Sequence, residues 1–128
     1  MARFVRRRPN NWRHKFACAG RGLRRGVRTQ ISFFVHLVAA ALVAIVAAVL
    51  QVDRHEWLLL TLCVTGVLTA EMFNTALERM APAISRERDP RLRDALDMAS
   101  AGVLLAALGS VVVGLVIFGR RLIELAGW

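Results

Sequence analysis

Acidic residues are scarce in this chain, with nine Asp and Glu against 18 Lys and Arg. Any carboxylate inside an apolar run therefore demands an explanation. Cysteine is scarcer still. Cys18 stands in a basic segment and Cys63 in an apolar one, which excludes a disulfide framework and any cysteine metal-ligand spacing. No GxxxxGK[ST] run and no glycine-rich phosphate turn occurs, so a P-loop nucleotide site is excluded. Polar sequence is also in short supply. With 56% apolar residues and a mean hydropathy of +0.47, 128 residues carry more apolar surface than a soluble core absorbs.

What is there instead is three long apolar runs. The first, Phe33 to Leu50, is eighteen residues broken only by His36. A polar link from Gln51 to Glu56 follows. The second runs from Trp57 to about Met80, and the third from Met98 to Gly119 has no charged residue. Each is long enough to cross a bilayer. A cleaved signal peptide does not fit, because its apolar core is shorter and two further runs come after this one.

Ten of the cations lie between Arg3 and Arg28. Nucleic acid and an anionic leaflet both attract such a segment, and the apolar run that follows favours lipid. Arg86, Arg88, Arg91 and Arg93 crowd the link between the second and third spans, on the same side as the N-terminus, which makes that side cytoplasmic. Arg120 and Arg121 fall on the other side and weaken this bias. Trp12, Phe16, Ala19, Leu23 and Val27 share one helical face, with Arg13, Arg21, Arg24, Arg25 and Arg28 on the others. This pattern predicts an amphipathic helix lying in the headgroup boundary. The expected organisation is a disordered basic tail over 1–10, a surface helix over 11–30, a three-span membrane domain over 31–121 with spans near 33–50, 57–80 and 97–119, and a C-terminal tail over 122–128. Gly102, Ala106, Ser110 and Gly114 recur every fourth residue of the third span, a stripe that admits close helix packing.

The second span holds the chemistry-bearing residues. Taking 100° per residue, Glu71, Asn74 and Glu78 lie at about 0°, 300° and 340°, one face with two carboxylates and an amide. An ionised acid at mid-membrane costs about 2.5–3.5 kcal/mol even on the lenient insertion scale. Glu78 is near the cytoplasmic end, within reach of headgroups or Arg79. Glu71 lies roughly 14 Å deeper than Met80, and a functional reading is the natural one. Asp97 opens the third span from the same side, where it can meet Glu78 or serve as a helix-start residue. Carboxylates that converge there call for a shared proton or a divalent cation such as magnesium. By itself the strip suits a metal-assisted enzyme or a proton or cation relay.

Glu71-x-x-Asn74-Thr75-Ala-x-Glu78, followed by Asp97 and then Ala101-Gly102-Val103-Leu104-Leu105, resembles the signature of prokaryotic diacylglycerol and undecaprenol kinases. Phe16-x-x-Ala19-x-x-Gly22-Leu23 and Phe33-x-x-His36-Leu37 resemble that family's surface helix and first span, so the likeness covers about residues 12–120. The resemblance implies an all-α homotrimer in the bacterial inner membrane, with its N-terminus cytoplasmic. It would transfer the γ-phosphoryl group of magnesium ATP to a membrane lipid hydroxyl, with no nucleic-acid partner. It implies Glu71 as general base with Asn74 positioning the hydroxyl. Glu78 would be the metal ligand, and Asp97 would bind the nucleotide–metal complex. Further nucleotide contacts are implied at Glu87, Arg88 and Asp89, and lipid contacts at Arg24 and Ser100. Departures at five positions accompany the match. Gln30 replaces a second metal-binding glutamate and Leu96 a lysine. Pro82 replaces an aspartate, while Ser32 and Phe34 replace the asparagine and arginine of the first-span motif. Arg79, Arg86, Arg88 and Arg93 are candidates for the thinned phosphate side. The alternative that these departures suggest is a non-catalytic kinase-fold scaffold or lipid-binding regulator.

Overall fold

The computed structural model describes residues 11–128; the basic tail expected over 1–10 lies outside the described residues. Asn11 caps the first helix, α1 (Trp12–Thr29), its side chain accepting the Arg13 backbone N–H at 3.1 Å. Most of the α1 stripe finds no cover among the described residues: Trp12, Phe16 and Leu23 are 71%, 73% and 55% exposed, as an interfacial helix requires. Gln30, in extended conformation, is the single-residue corner between α1 and α2 (Ile31–Val49).

The exit from α2 is a Schellman turn built on a non-glycine residue. Gln51 adopts φ +51°, its N–H bonds the Ala48 carbonyl, and the Val52 N–H bonds that of Ala47. Val52 and Ala47 are both buried, the apolar contact that accompanies this motif. Asp53 then opens α3 (Arg54–Ile84) with a reciprocal capping box. It accepts the Glu56 N–H at 2.9 Å while Glu56 accepts the Asp53 N–H at 2.8 Å. The Glu56 N–H holds the Asp53 carboxyl below its ordinary value. Asp89 caps α4 (Pro90–Leu125), which starts on a proline, the residue that best tolerates a first helical position.

Three helices, α2, α3 and α4, are long and apolar enough to cross a membrane. Two overrun the expected spans. At 31 and 36 residues, α3 and α4 reach about 46 and 54 Å, against a hydrocarbon core of about 30 Å. Apolar composition marks where a helix meets lipid, whereas caps mark where its hydrogen bonds end. For this reason α3 runs on through Pro82 to Ile84, and α4 begins at Pro90 rather than 97. The expected tail over 122–128 is likewise helical to Leu125 and closes on Gly127 at φ +78°.

α3 is the central element, packed chiefly on α4 and then on α2, with α1 lying against both α2 and α3. Its small core, Ala47, Val52, Leu60 and Ile117, lies at the end away from the α3–α4 link. Large apolar side chains such as Leu62, Phe73, Leu104 and Leu115 are exposed, which suits a lipid solvent. The Ser110 hydroxyl donates to the Ala106 carbonyl at 2.8 Å and reaches that of Cys63 at 3.4 Å, so one member of the small-residue stripe meets α3, while Gly102 faces open space. Near the same core Arg120 and Arg121 are paired, not free. Both donate to the buried Glu56, Arg121 at 3.1 Å, with Asp53 within 4.0 Å of each.

Candidate active site

Glu71 is 3% exposed, deep on the face of α3 that meets its neighbours. From α2, His36 brings Nε2 to 3.7 Å from Glu71 Oε2. Asn74 and Thr75 are buried beside it. Asn74, however, turns away from Glu71: its amide N–H donates to Glu78 Oε1 at 3.0 Å, and its oxygen accepts the Ser100 hydroxyl at 3.4 Å. Glu78, Asn74 and Ser100 thus form a polar string from α3 to α4.

The surface helix is seated on this part of α3 by Gly26. A Cβ there would lie 2.7 Å from the Met72 terminal methyl carbon, so any larger residue requires that flexible tip to move. Arg79 of α3 donates to the Thr29 hydroxyl, which donates to the Arg25 carbonyl. Gln30, the position of the expected second metal ligand, is half-buried at the resulting corner, where its backbone bonds Gly26 and Phe34. Arg24 projects from α1 into the open.

Two concavities adjoin these residues. An apolar groove of about 340 Å³ runs between α2, α3 and α4, from His36 and Leu68 to Leu60 and Phe118. On α3 that is about 12 Å of depth. At the α3–α4 link a second cleft of about 360 Å³ is lined by Glu87, Arg88, Asp89, Pro90, Leu92, Arg93 and Leu96. The structure therefore brings Glu87, Arg88, Asp89 and position 96 together, with Arg93 beside the leucine. It leaves Glu78 and Asp97 exposed. Among the described residues no three His, Cys, Asp or Glu side chains gather as a ready-made metal cage. Isolated exposed carboxylates are what magnesium uses when substrate phosphates complete its shell, so Glu78 and Asp97 suit a metal that arrives with a nucleotide.

Sequence reasoning missed two pairings. His36 was legible as the one interruption of the first span. The pairing of Glu56 with Arg120 and Arg121 was legible as two acids and two arginines on the same side of three spans.

The described residues thus combine a carboxylate buried on α3, an apolar groove whose His36 end lies beside it, and a cleft of mixed charge at the α3–α4 link. The chain matches the prokaryotic diacylglycerol kinase family over residues 17–118 and belongs to that family. It is 32% identical over 113 residues to the undecaprenol kinase of Bacillus subtilis (strain 168), an alignment covering 88% of this chain and 92% of the relative. The protein is a membrane lipid kinase.

Proposed function

We propose that the protein phosphorylates the hydroxyl of a long-chain membrane lipid, undecaprenol or diacylglycerol, using magnesium ATP at the cytoplasmic face of the inner membrane. The observation that carries this reading is the buried Glu71 beside the His36 end of the apolar groove. A hydrocarbon chain in the groove brings a terminal hydroxyl to the carboxylate. Glu71 takes the hydroxyl proton, the lipid oxygen bonds the γ-phosphorus, and the bond from that phosphorus to the β,γ-bridging oxygen breaks, releasing ADP. An alcohol needs such a base, and phosphoryl transfer otherwise asks for positioning and charge neutralisation.

Glu78 and Asp97 would hold the magnesium that comes with the phosphates, which would supply charge neutralisation there. Arg88 and Arg93 take phosphate contacts that a lysine at position 96 would supply, since guanidinium groups bind phosphate bidentately. The similarity to an undecaprenol kinase favours the polyprenol as substrate. A homotrimer is the assembly implied by the family motifs, and the exposed small residues of α4 suit helix packing between copies. The test is incubation of purified protein with γ-labelled magnesium ATP and either lipid in mixed micelles, followed by chromatography. Label is expected in the lipid fraction, with undecaprenol the better acceptor. Label in neither lipid would favour the non-catalytic scaffold, the reading that Gln30 and Leu96 support.

A further inference from the structure

A general base works only if its carboxylate is held at the attack geometry, and a misplacement of about 1 Å can cost about 10²-fold in rate. Asn74 does not hold Glu71, since both ends of its amide are engaged by Glu78 and Ser100. No hydrogen bond reaches the Glu71 carboxylate among the described residues, and no arginine or lysine lies within 4.0 Å of it. Among the described residues only His36 does, at 3.7 Å from Oε2. Glu78 on the same helix is tied to Asn74, Asp97 on α4 is exposed, and Arg79 is turned to Thr29 of α1.

His36 and Ser110 are the polar members of the largely apolar groove lining, and His36 stands at the end beside Glu71, so a lipid that reaches Glu71 passes it. We propose that His36 is the positioning residue for Glu71: its Nε2–H points at Oε2, closes to a hydrogen bond when the lipid fills the groove, and leaves Oε1 to accept the hydroxyl proton. Catalytic hydrogen bonds are commonly long in the unliganded enzyme and tighten in the loaded one. The assignment requires the tautomer with the proton on Nε2. It rests on the reading of Glu71 as the base.

The experiment has two arms. In the kinetic arm, His36→Ala lowers kcat on the order of 10²-fold with the KM for magnesium ATP unchanged. His36→Gln, whose amide nitrogen reaches nearly as far as Nε2, recovers kcat to within about tenfold of the wild type. Equal loss in the two variants, or no loss in His36→Ala, overturns the proposal. In the second arm the imidazole ¹⁵N signals of His36, assigned by their disappearance in His36→Gln, are followed in full-length protein in micelles. Glu71→Gln is expected to move the Nε2 signal, and an unmoved signal overturns the contact whether or not the protein is active. Failure of phosphorylation by the wild type would instead strike at the kinase reading, while the spectroscopic arm still decides the pairing.

Discussion

Asn74 donates its amide N–H to Glu78 Oε1 at 3.0 Å and accepts from Ser100 at 3.4 Å, so the amide of the α3 strip serves Glu78, the carboxylate proposed to hold the metal. The two bonds differ in worth. The first goes to a charged acceptor, at about 1.5–3 kcal/mol, whereas the second is neutral and at the outer limit of distance. Asn74→Ala is therefore expected to lower lipid phosphorylation at least tenfold, and Ser100→Ala less than fivefold. The comparison is made in one vesicle assay at saturating magnesium ATP.

Arg88 and Arg93 line the cleft that also holds Leu96. If they supply phosphate contacts, substituting either by Ala removes a charge-assisted bond of about 1.5–3 kcal/mol and raises the KM for ATP roughly tenfold or more. Gln30→Glu adds an anionic ligand at the α1–α2 corner and is expected to lower that KM. Steady-state kinetics in ATP with fixed lipid checks both directions.

Gly26 lets α1 lie on α3 at Met72. Met72 is flexible at its tip, so Gly26→Ala is accommodated by rotation and changes little. Gly26→Leu cannot be, and such overpacking costs about 1–3 kcal/mol. The larger substitution is expected to lift α1 from α3 and expose the Arg79–Thr29 link. Faster protease cleavage near residue 30, with Met72→Ala partly restoring protection, is the expected record.

The pairing of Glu56 with Arg120 and Arg121 ties the start of α3 to the end of α4. Glu56→Gln removes the anion that both arginines share and is expected to lower the unfolding midpoint in detergent without changing the KM for ATP, because the site lies at the other end. Acid acts through Asp53 beside it. A carboxyl held low in the fold contributes stability above its ordinary value of 3.8, and that contribution is lost as pH falls below it. Asp53→Asn keeps the cap acceptor and should flatten that part of the stability profile.

Much of this architecture was legible in the residue order. Apolar runs long enough for lipid gave three spans, the stripe from Trp12 to Val27 gave the surface helix, and the place of Glu71 inside an apolar run marked a carboxylate that the helices bury. Helix ends were less legible because hydropathy reports lipid contact and not hydrogen bonding, which is why α4 starts seven residues before the expected span. Contacts between helices needed their relative rotation. Glu71 and Asn74 share a face, yet nothing in their spacing says that the first meets His36 and the second meets Glu78. Arg120 and Arg121 were read through topology, and only the fold brings them to a glutamate 64 and 65 residues away.

The central claim is that Glu71 is the base of a lipid phosphotransferase, and the transfer of labelled γ-phosphate from magnesium ATP to undecaprenol by wild type and Glu71→Gln tests it most directly. Gln fills the same space but cannot take a proton. The account predicts labelled lipid from the wild type and a loss of three orders of magnitude or more, roughly, in the variant, with membrane insertion and assembly unchanged. Near-normal turnover by Glu71→Gln would contradict it.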